Sequence, residues 1–578
     1  MKANSPHPLE ITLLIIILSA SLALRLLGID FGLPYVFYPD EAVIVNHAVA
    51  FGTGDLNPHY FNYPSLYMYV MFVIYGFIYV VGWLAGIFAS TADFARLFFN
   101  DVTLFYLPGR LISALCGVAS VAMVYLFGRR AYNVRVGLIS ASFLAFTVLH
   151  VEYSHFLKTH VPAALFVIIG QYMAWSIISG KDTLRRYIIC GVVAGLAAST
   201  VYHAGFVLVT MLVANMLRWH DSPADTKKMY KIIVMVMVCF IVFILGTPFA
   251  LLDWPSFIRD ITASSAFRFK GGFWEGSPFY SFTSLLTVMG PPLGIVSLFG
   301  VGYAFLRHRP VDIILLSLPL FLSGFLMLFP VKEPHHMLIA FPALCILGSV
   351  FVEEVIAWLI RPRILQVGTM VLVTILLLVN PGILSLQSSY RLTLPDTREL
   401  SKKWIDENIC PGSKIVMDSG KYYPGEFGPP IRYSKWTIEQ FIDKTGSAAE
   451  KALPRVDGSR WTGYTGEAAY FKYYLKAMGD STGYDVIKIT HDEVSERSDV
   501  LNLDEYISMG VQYAVVSSKG WSYYYVDGRY PVKATKYRDF YKALEARATL
   551  LKEFKPSENI VGQIIRIYKL PTSSGTGR

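Results

Sequence analysis

The chain has 578 residues, 54% of them hydrophobic and only 16% charged, with a formal net charge of +9. A soluble protein carries about 25% charged residues, so a single water-soluble globule is excluded. The basic residues stand in short clusters between apolar runs rather than along one face, which excludes a nucleic-acid-binding surface and fits Lys and Arg gathered in cytoplasmic loops.

Hydrophobic residues fill positions 1–386, and the remainder has the composition of an ordinary soluble domain. This predicts a polytopic membrane domain over 1–390 and a soluble α/β domain over 391–578. Cys116, Cys190, Cys239 and Cys345 lie inside apolar runs and Cys410 stands alone, so neither a disulfide framework nor a cysteine metal site is indicated.

A bilayer crossing needs about 20 apolar residues. The runs 9–28, 108–128, 136–152, 161–180, 230–250, 283–306, 311–330, 337–360 and 364–386 qualify. The first has no small-residue cleavage site before Asp30, so it reads as a retained helix. Two further runs break simple alternation. The stretch 187–217 has basic clusters at both ends and is expected to be two short helices turning near Ser199–His203. The stretch 65–89, rich in Tyr and Trp, is expected to lie in the outer interface. That gives eleven spans, a cytoplasmic N-terminus, and outer segments at 29–107, 153–160, 200–203, 251–282, 331–336 and the C-terminal domain. In that domain helices are expected at 397–409, 434–444 and 535–549, and strands at 414–417, 512–517 and 563–570.

The unusual polar residues fall on the outer side. Asp40 and Glu41 follow the first helix directly. A carboxylate at the mouth of a membrane bundle is costly to place and is a functional-site hypothesis by default. It suits a general base toward a hydroxyl, or a ligand for a divalent cation such as Mg or Mn. The same pair also reads simply as the start of a short helix through His47. The polar and aromatic run Gly54–Ser65, with Asn62 and Tyr63, suits the rim of a sugar site.

Three histidines, Glu152 and Lys158 gather within His150–His160. Glu152 and His155 share a face at i, i+3, and with Glu41 they are candidate metal ligands. His160 and His203 are further rim candidates. Arg110, Lys158, Arg268, Lys270, Lys332, His335 and His336 are candidates for holding a phosphate through charge-assisted hydrogen bonds.

The acidic pair, the run Gly54-Asp55-Leu56-Asn57-Pro58 leading to Tyr63-Pro64-Ser65, Gly109-Arg110-Leu111 and Gly246-Thr247-Pro248 resemble membrane glycosyltransferases of the C-type fold. The nearest group holds dolichyl-phosphate-mannose–protein mannosyltransferases and lipid A aminoarabinose transferases. The resemblance covers about 1–386.

It implies inverting transfer of a sugar from a polyprenyl-phosphate donor to an acceptor hydroxyl at the outer membrane face. Asp40 would be the base, with Glu41 in support or facing a cation, and Arg110 would steady the phosphate. The acceptor is left open as a glycan, lipid or protein. A bacterial inner membrane or other plasma membrane is the implied location. The chain departs from many relatives at His160 (Asp there), His335 (Arg) and Val201 (Lys), and Asn62-Tyr63-Pro64 stands where the aminoarabinose transferases have Glu-Lys-Pro. A flippase for lipid-linked sugars and a polysaccharide polymerase or ligase are the alternative readings. The first is disfavoured by the absence of repeated halves, the second by the lack of a large Arg-rich outer loop.

Overall fold

In this computed structural model the described residues are 7–180, 183–220, 226–269, 280–328, 333–419, 424–450, 474–475, 482–490, 500–525 and 533–571. The helices of the apolar region run α1 Pro8–Leu26, α2 Pro39–Ala50, α3 Leu66–Leu84, α4 Thr91–Asn100, α5 Thr103–Ala131, α6 Val134–Ala145, α7 Val148–Tyr153, α8 His160–Ser179 and α9 Leu184–Thr200. They continue as α10 Val207–His220, α11 Thr226–Gly246, α12 Phe249–Leu252, α13 Trp254–Phe269, α14 Tyr280–Val288, α15 Pro291–Arg307, α16 Pro310–Met327, α17 Phe341–Leu359 and α18 Arg363–Arg391.

Among the described residues eight helical stretches are long and apolar enough to cross a membrane, namely α1, α3, α5, α8, most of α11, α16, Pro334–Leu359 and α18. The other expected crossings fall on the shorter apolar helices α6 and α15 and on the pair α9 and α10. The expected break in 187–217 is present: α9 ends at Thr200, and a 3-10 turn over Tyr202–Phe206 leads into α10. The run expected to lie in the interface forms α3, 19 residues long with a mean hydropathy of 1.8.

The chain divides into two compact units. The first comprises Met1–Ile29, Ala50–Ile74 and Leu107–Tyr390. Its core is a continuous apolar cluster drawn mainly from α5, α6, α8 to α10 and α15 to α17. Close helix approach relies on small residues, as expected where lipid gives helices no hydrophobic reason to associate. A Cβ at Gly195 of α9 would lie 2.6 Å from the Cys239 carbonyl oxygen of α11.

Several basic residues of the clusters that set the expected orientation are paired with acids. Arg307 and Arg309 reach Glu354 at 2.6 and 2.9 Å, Arg307 also binds Asp312, and Arg129 meets Glu10 at 2.5 Å.

The second unit comprises Asp30–Val49, Tyr75–Tyr106 and Arg391–Arg578. Here α19 Thr397–Asn408 is capped by Asp396, whose side chain accepts from the Arg398 amide. Next come α20 Lys435–Glu450, α21 Leu503–Ser508, α22 Ser518–Tyr525 and α23 Lys533–Arg547. The strands are β1 Lys414–Ser419, β2 Asp485–Thr490, β3 Tyr513–Ser517, β4 Thr549–Phe554 and β5 Ile565–Lys569. They form one sheet in the order β2-β1-β3-β5-β4, parallel at β2-β1-β3 and antiparallel at β3-β5-β4. The α/β expectation therefore holds as a mixed sheet, with β2 and β4 added. The Arg398 guanidinium lies 3.8 Å from the centre of the Phe37 ring and pairs with Asp396 at 2.6 Å, binding the segment after α1 into this unit.

Candidate active site

Asp40 and Glu41 occupy the first turn of α2, in the second unit. Pro39 at the helix start removes one unsatisfied N–H, and the helix dipole favours a negative charge at this end. Asp40 is half-buried, whereas Glu41 is fully buried. The pair is therefore both a helix start and a desolvated acid beside an accessible one.

The other described candidates lie in the first unit. Arg110, in α5, is completely buried and donates from Nη1 to the Ile29 carbonyl oxygen at 2.9 Å. The run around Asn62 and Tyr63 is tied down by three links. Asn57 Nδ2 donates to Asp253 Oδ2 at 2.9 Å, the Phe61 amide to Asp260 Oδ2 at 2.9 Å, and the Tyr202 hydroxyl to the Phe61 carbonyl at 2.9 Å. Asn62 Oδ1 accepts from Ser264, and the Tyr63 ring sits 6.4 Å from Tyr60. The loop is thus held against α13 and the α9–α10 turn rather than left open.

His59 has a left-handed backbone, φ 50°, uncommon outside glycine. Its Nε2 lies 2.8 Å from Asp55 Oδ2. That hydrogen bond is the main reason the Asp55 carboxyl is held below its ordinary range. At Asp253 burial pushes the carboxyl up, but hydrogen bonds from Asn57 and Ser256 outweigh it and hold the group below its ordinary range.

The turn from α7 to α8 is organised by a residue that its sequence context does not single out. Arg25, in the last turn of α1, is completely buried. Its Nη1 donates to Ser21 Oγ at 2.7 Å, to the Ser21 carbonyl at 3.0 Å and to the Ala145 carbonyl at 3.2 Å. Nε reaches Ser154 Oγ at 3.2 Å and Nη2 reaches His150 Nδ1 at 2.9 Å. Every one of these acceptors is neutral. The only sequence signal is a charge inside an apolar run.

Glu152 is half-buried, and His155 is completely buried with Nδ1 3.0 Å from the Val151 carbonyl and Nε2 3.1 Å from the Leu27 carbonyl. Burial, outweighing these contacts, holds the His155 imidazole below its ordinary range. Both ring nitrogens of His155 face backbone oxygens. Among the described residues no group of three or more His, Cys, Asp or Glu is placed to hold a metal ion.

What the structure does bring together is a ring of histidines. His160 opens α8, His203 lies in the 3-10 turn, and His335 and His336 lie in a 3-10 helix over Pro334–Ala340. The ring centroids are 4.5 Å apart for His160–His335, 4.6 Å for His335–His336, 5.5 Å for His203–His336 and 6.2 Å for His160–His203. The Tyr153 hydroxyl lies 3.0 Å from His335 Nδ1, and Lys158 Nζ stands 4.6 Å from the centre of the Tyr153 ring. Sequence reasoning named the histidines and Lys158 individually but not their convergence, nor Tyr153 as the link. Arg268 lies in α13, while Lys270 and Lys332 fall outside the described residues.

A helical membrane bundle of this kind, with an acid just after the first helix and a small mixed-sheet domain at the C-terminus, is the C-type glycosyltransferase fold. The chain is a multi-pass membrane protein of that fold. Residues 94–245 match the family model described as dolichyl-phosphate-mannose-protein mannosyltransferase. ArnT from Cupriavidus metallidurans, in the apo state, is similar over 98% of this chain and 99% of its own, at TM-score 0.52 and 13% identity. The same protein bound to undecaprenyl phosphate gives the same figures. An oligosaccharyltransferase from Archaeoglobus fulgidus matches over 94% of this chain and 73% of its own, at TM-score 0.51 and 12% identity. No curated protein sequence matches the chain.

Proposed function

We propose that this protein transfers a sugar, with inversion, from a polyprenyl-phosphate donor to an acceptor hydroxyl on the outer face of the membrane. The observation that carries the reading is the half-buried Asp40 next to the buried Glu41, at a helix start after α1, in a chain whose fold is similar to that of ArnT. That relative has been seen with undecaprenyl phosphate, which supports the donor class.

Asp40 takes the proton of the acceptor hydroxyl as its oxygen bonds to the anomeric carbon. The bond from that carbon to the phosphate oxygen breaks, and the polyprenyl phosphate leaves with the electron pair. Glu41, with no exposure, positions Asp40 or faces a cation. Arg110, Lys158 and His335, together with Arg268, Lys270 and Lys332, supply the charge that receives the leaving phosphate. Asn62, Tyr63, His155, His160 and His203 belong to the rim. The N-terminus is cytoplasmic and the residues from 391 onward form the outer α/β domain, which meets the glycan, lipid or protein acceptor.

The test is sugar release from polyprenyl-phosphate hexoses by purified protein in detergent, with wild type beside Asp40→Asn, each with and without a chelator. Loss of roughly 100-fold or more in turnover is expected for the variant, the usual worth of a general base, with donor binding retained. Unchanged turnover would refute Asp40 as the base. The chelator arm decides whether Mg or Mn takes part.

A further inference from the structure

The imidazoles of His160, His203, His335 and His336 meet in one place from three separate elements, with neighbouring centroids 4.5 to 6.2 Å apart. His160 Nδ1, and Oγ1 of the preceding Thr159, are buried without a hydrogen-bond partner among the described residues. Their residues are 4% and 1% exposed. An orphaned buried polar atom is costly, and two in sequence beside a histidine cluster point to something that binds there.

The charged groups around the cluster fix the sign of that ligand. Facing His160 are Lys158, His203, His335 and His336, all cations or potential cations. At the N-terminus of the 3-10 helix Pro334–Ala340, the Glu333 backbone N–H points to His336 Nδ1 at 3.4 Å, and the Glu333 carboxylate caps that helix. Glu152 in α7 interacts with Lys158. Acids on the other helices packed against α8 are engaged elsewhere, Asp312 with Arg307 and Glu353 with Arg135. Arg186 donates to Ser176, sixteen positions along α8 from His160.

We propose that His160, His203, His335 and His336 form a proton-loaded oxyanion site that takes a phosphodiester or phosphate together with protons. Imidazoles this close repel one another once charged, so each proton added to the ring makes the next harder to add. An arriving anion supplies the missing countercharge, and protons follow it onto the rings. Binding therefore tightens as pH falls through the imidazole range, by about tenfold per pH unit for each proton taken up. The proposal rests on the glycosyltransferase reading for its lipid-phosphate source. The same chemistry would take free phosphate.

The experiment is titration calorimetry on the full chain in neutral detergent, in pairs of buffers with different ionisation heats, which counts protons directly. The lipid probe is a methyl polyprenyl phosphodiester, whose single charge does not change between pH 6 and 8. The second probe is inorganic phosphate, with its own titration subtracted. Diester binding with net proton uptake near pH 7 and at least fivefold tighter binding at pH 6 than at pH 8 is the expected result. His160→Gln and His335→Gln should lower the uptake, and His335→Arg should raise affinity at pH 8 while flattening the slope.

Phosphate binding with uptake but no diester binding would keep the proton-loaded site and overturn the lipid-donor reading. PH-flat binding without proton uptake, no binding of either probe, or binding abolished by a chelator would overturn the site itself. The wild-type proton count decides the matter even if the variants do not fold.

Discussion

Gly117, in α5, faces the buried Arg25 side chain, and adding a single methyl there tests the packing of that hub. A Cβ at Gly117 would lie 2.7 Å from Arg25 Nε, 2.7 Å from Ser154 Oγ and 3.0 Å from Arg25 Cδ. The guanidinium cannot swing away cheaply, because Ser21, Ala145, Ser154 and His150 hold it from four sides. Overpacking costs about 1–3 kcal/mol, and the weakened Arg25–Ser154 hydrogen bond adds about 1 kcal/mol. The better helix propensity of alanine returns about 1 kcal/mol. The net expectation for Gly117→Ala is a loss of about 1–3 kcal/mol.

Gly302 in α15 is the control, since a Cβ there meets no atom within 4 Å. Gly302→Ala should be neutral or stabilising by up to about 1 kcal/mol. The assay is thermal denaturation of both variants in the same detergent, followed by size-exclusion recovery after heating. Gly117→Ala should lose its folded peak several degrees below wild type while Gly302→Ala does not. Equal recovery of the two would refute the account of Arg25 as a rigid, fully partnered group.

Three further outcomes follow from particular contacts. Asn57→Ala removes the bond to the Asp253 carboxylate at 2.9 Å and should loosen residues 55–63 by about 1 kcal/mol, read as faster amide hydrogen exchange there. The carboxyls of Asp55 and Asp253 sit below their ordinary range. Their contribution is therefore fully present above the unfolded carboxylate value of about 4 and is lost as pH falls through the folded values. Exchange in the same loop should be flat from pH 8 to 5, after correction for intrinsic rates, and should rise below about pH 4. In the second unit the Tyr541 hydroxyl donates to the buried Asp418 at 2.8 Å, so Tyr541→Phe should destabilise that unit by about 1.5–3 kcal/mol, seen as earlier cleavage after β1 in limited proteolysis of the full chain.

Much of the bundle was legible because a membrane imposes a simple rule: apolar runs of fixed length, with Lys and Arg at one end. The break between α9 and α10 followed from basic clusters at both ends of 187–217. The strands β1, β3 and β5 announced themselves as short buried runs. β2 reads Asp-Val-Ile-Lys-Ile-Thr and β4 reads Thr-Leu-Leu-Lys-Glu-Phe, and charges inside such short segments blur a period of two. The histidine ring was invisible for a different reason. His160, His203 and His335-His336 are more than forty positions apart in sequence, and only the packing of α8, the α9–α10 turn and the Pro334–Ala340 helix brings their rings within 6.2 Å along successive neighbours.

Arg25 shows most plainly what composition hides. At the end of a hydrophobic run an arginine normally reads as a snorkelling anchor, its stem in lipid and its head in water. Here the whole side chain has no exposure. A desolvated guanidinium held only by neutral groups gains no ion-pair energy to offset its lost hydration, so the site is tolerable only because all its acceptors are in place at once. Those acceptors belong to α1, to the end of α6 and to α7 and the turn after it. The same segment carries Tyr153 and Lys158 to the histidine ring. The cost of burying one charge is thus coupled to the geometry of the segment on which the candidate phosphate contacts stand. An apolar residue at position 25 would leave the Ser154 and His150 side chains without their donor, so the α7 turn and not α1 itself is where its effect would first be felt.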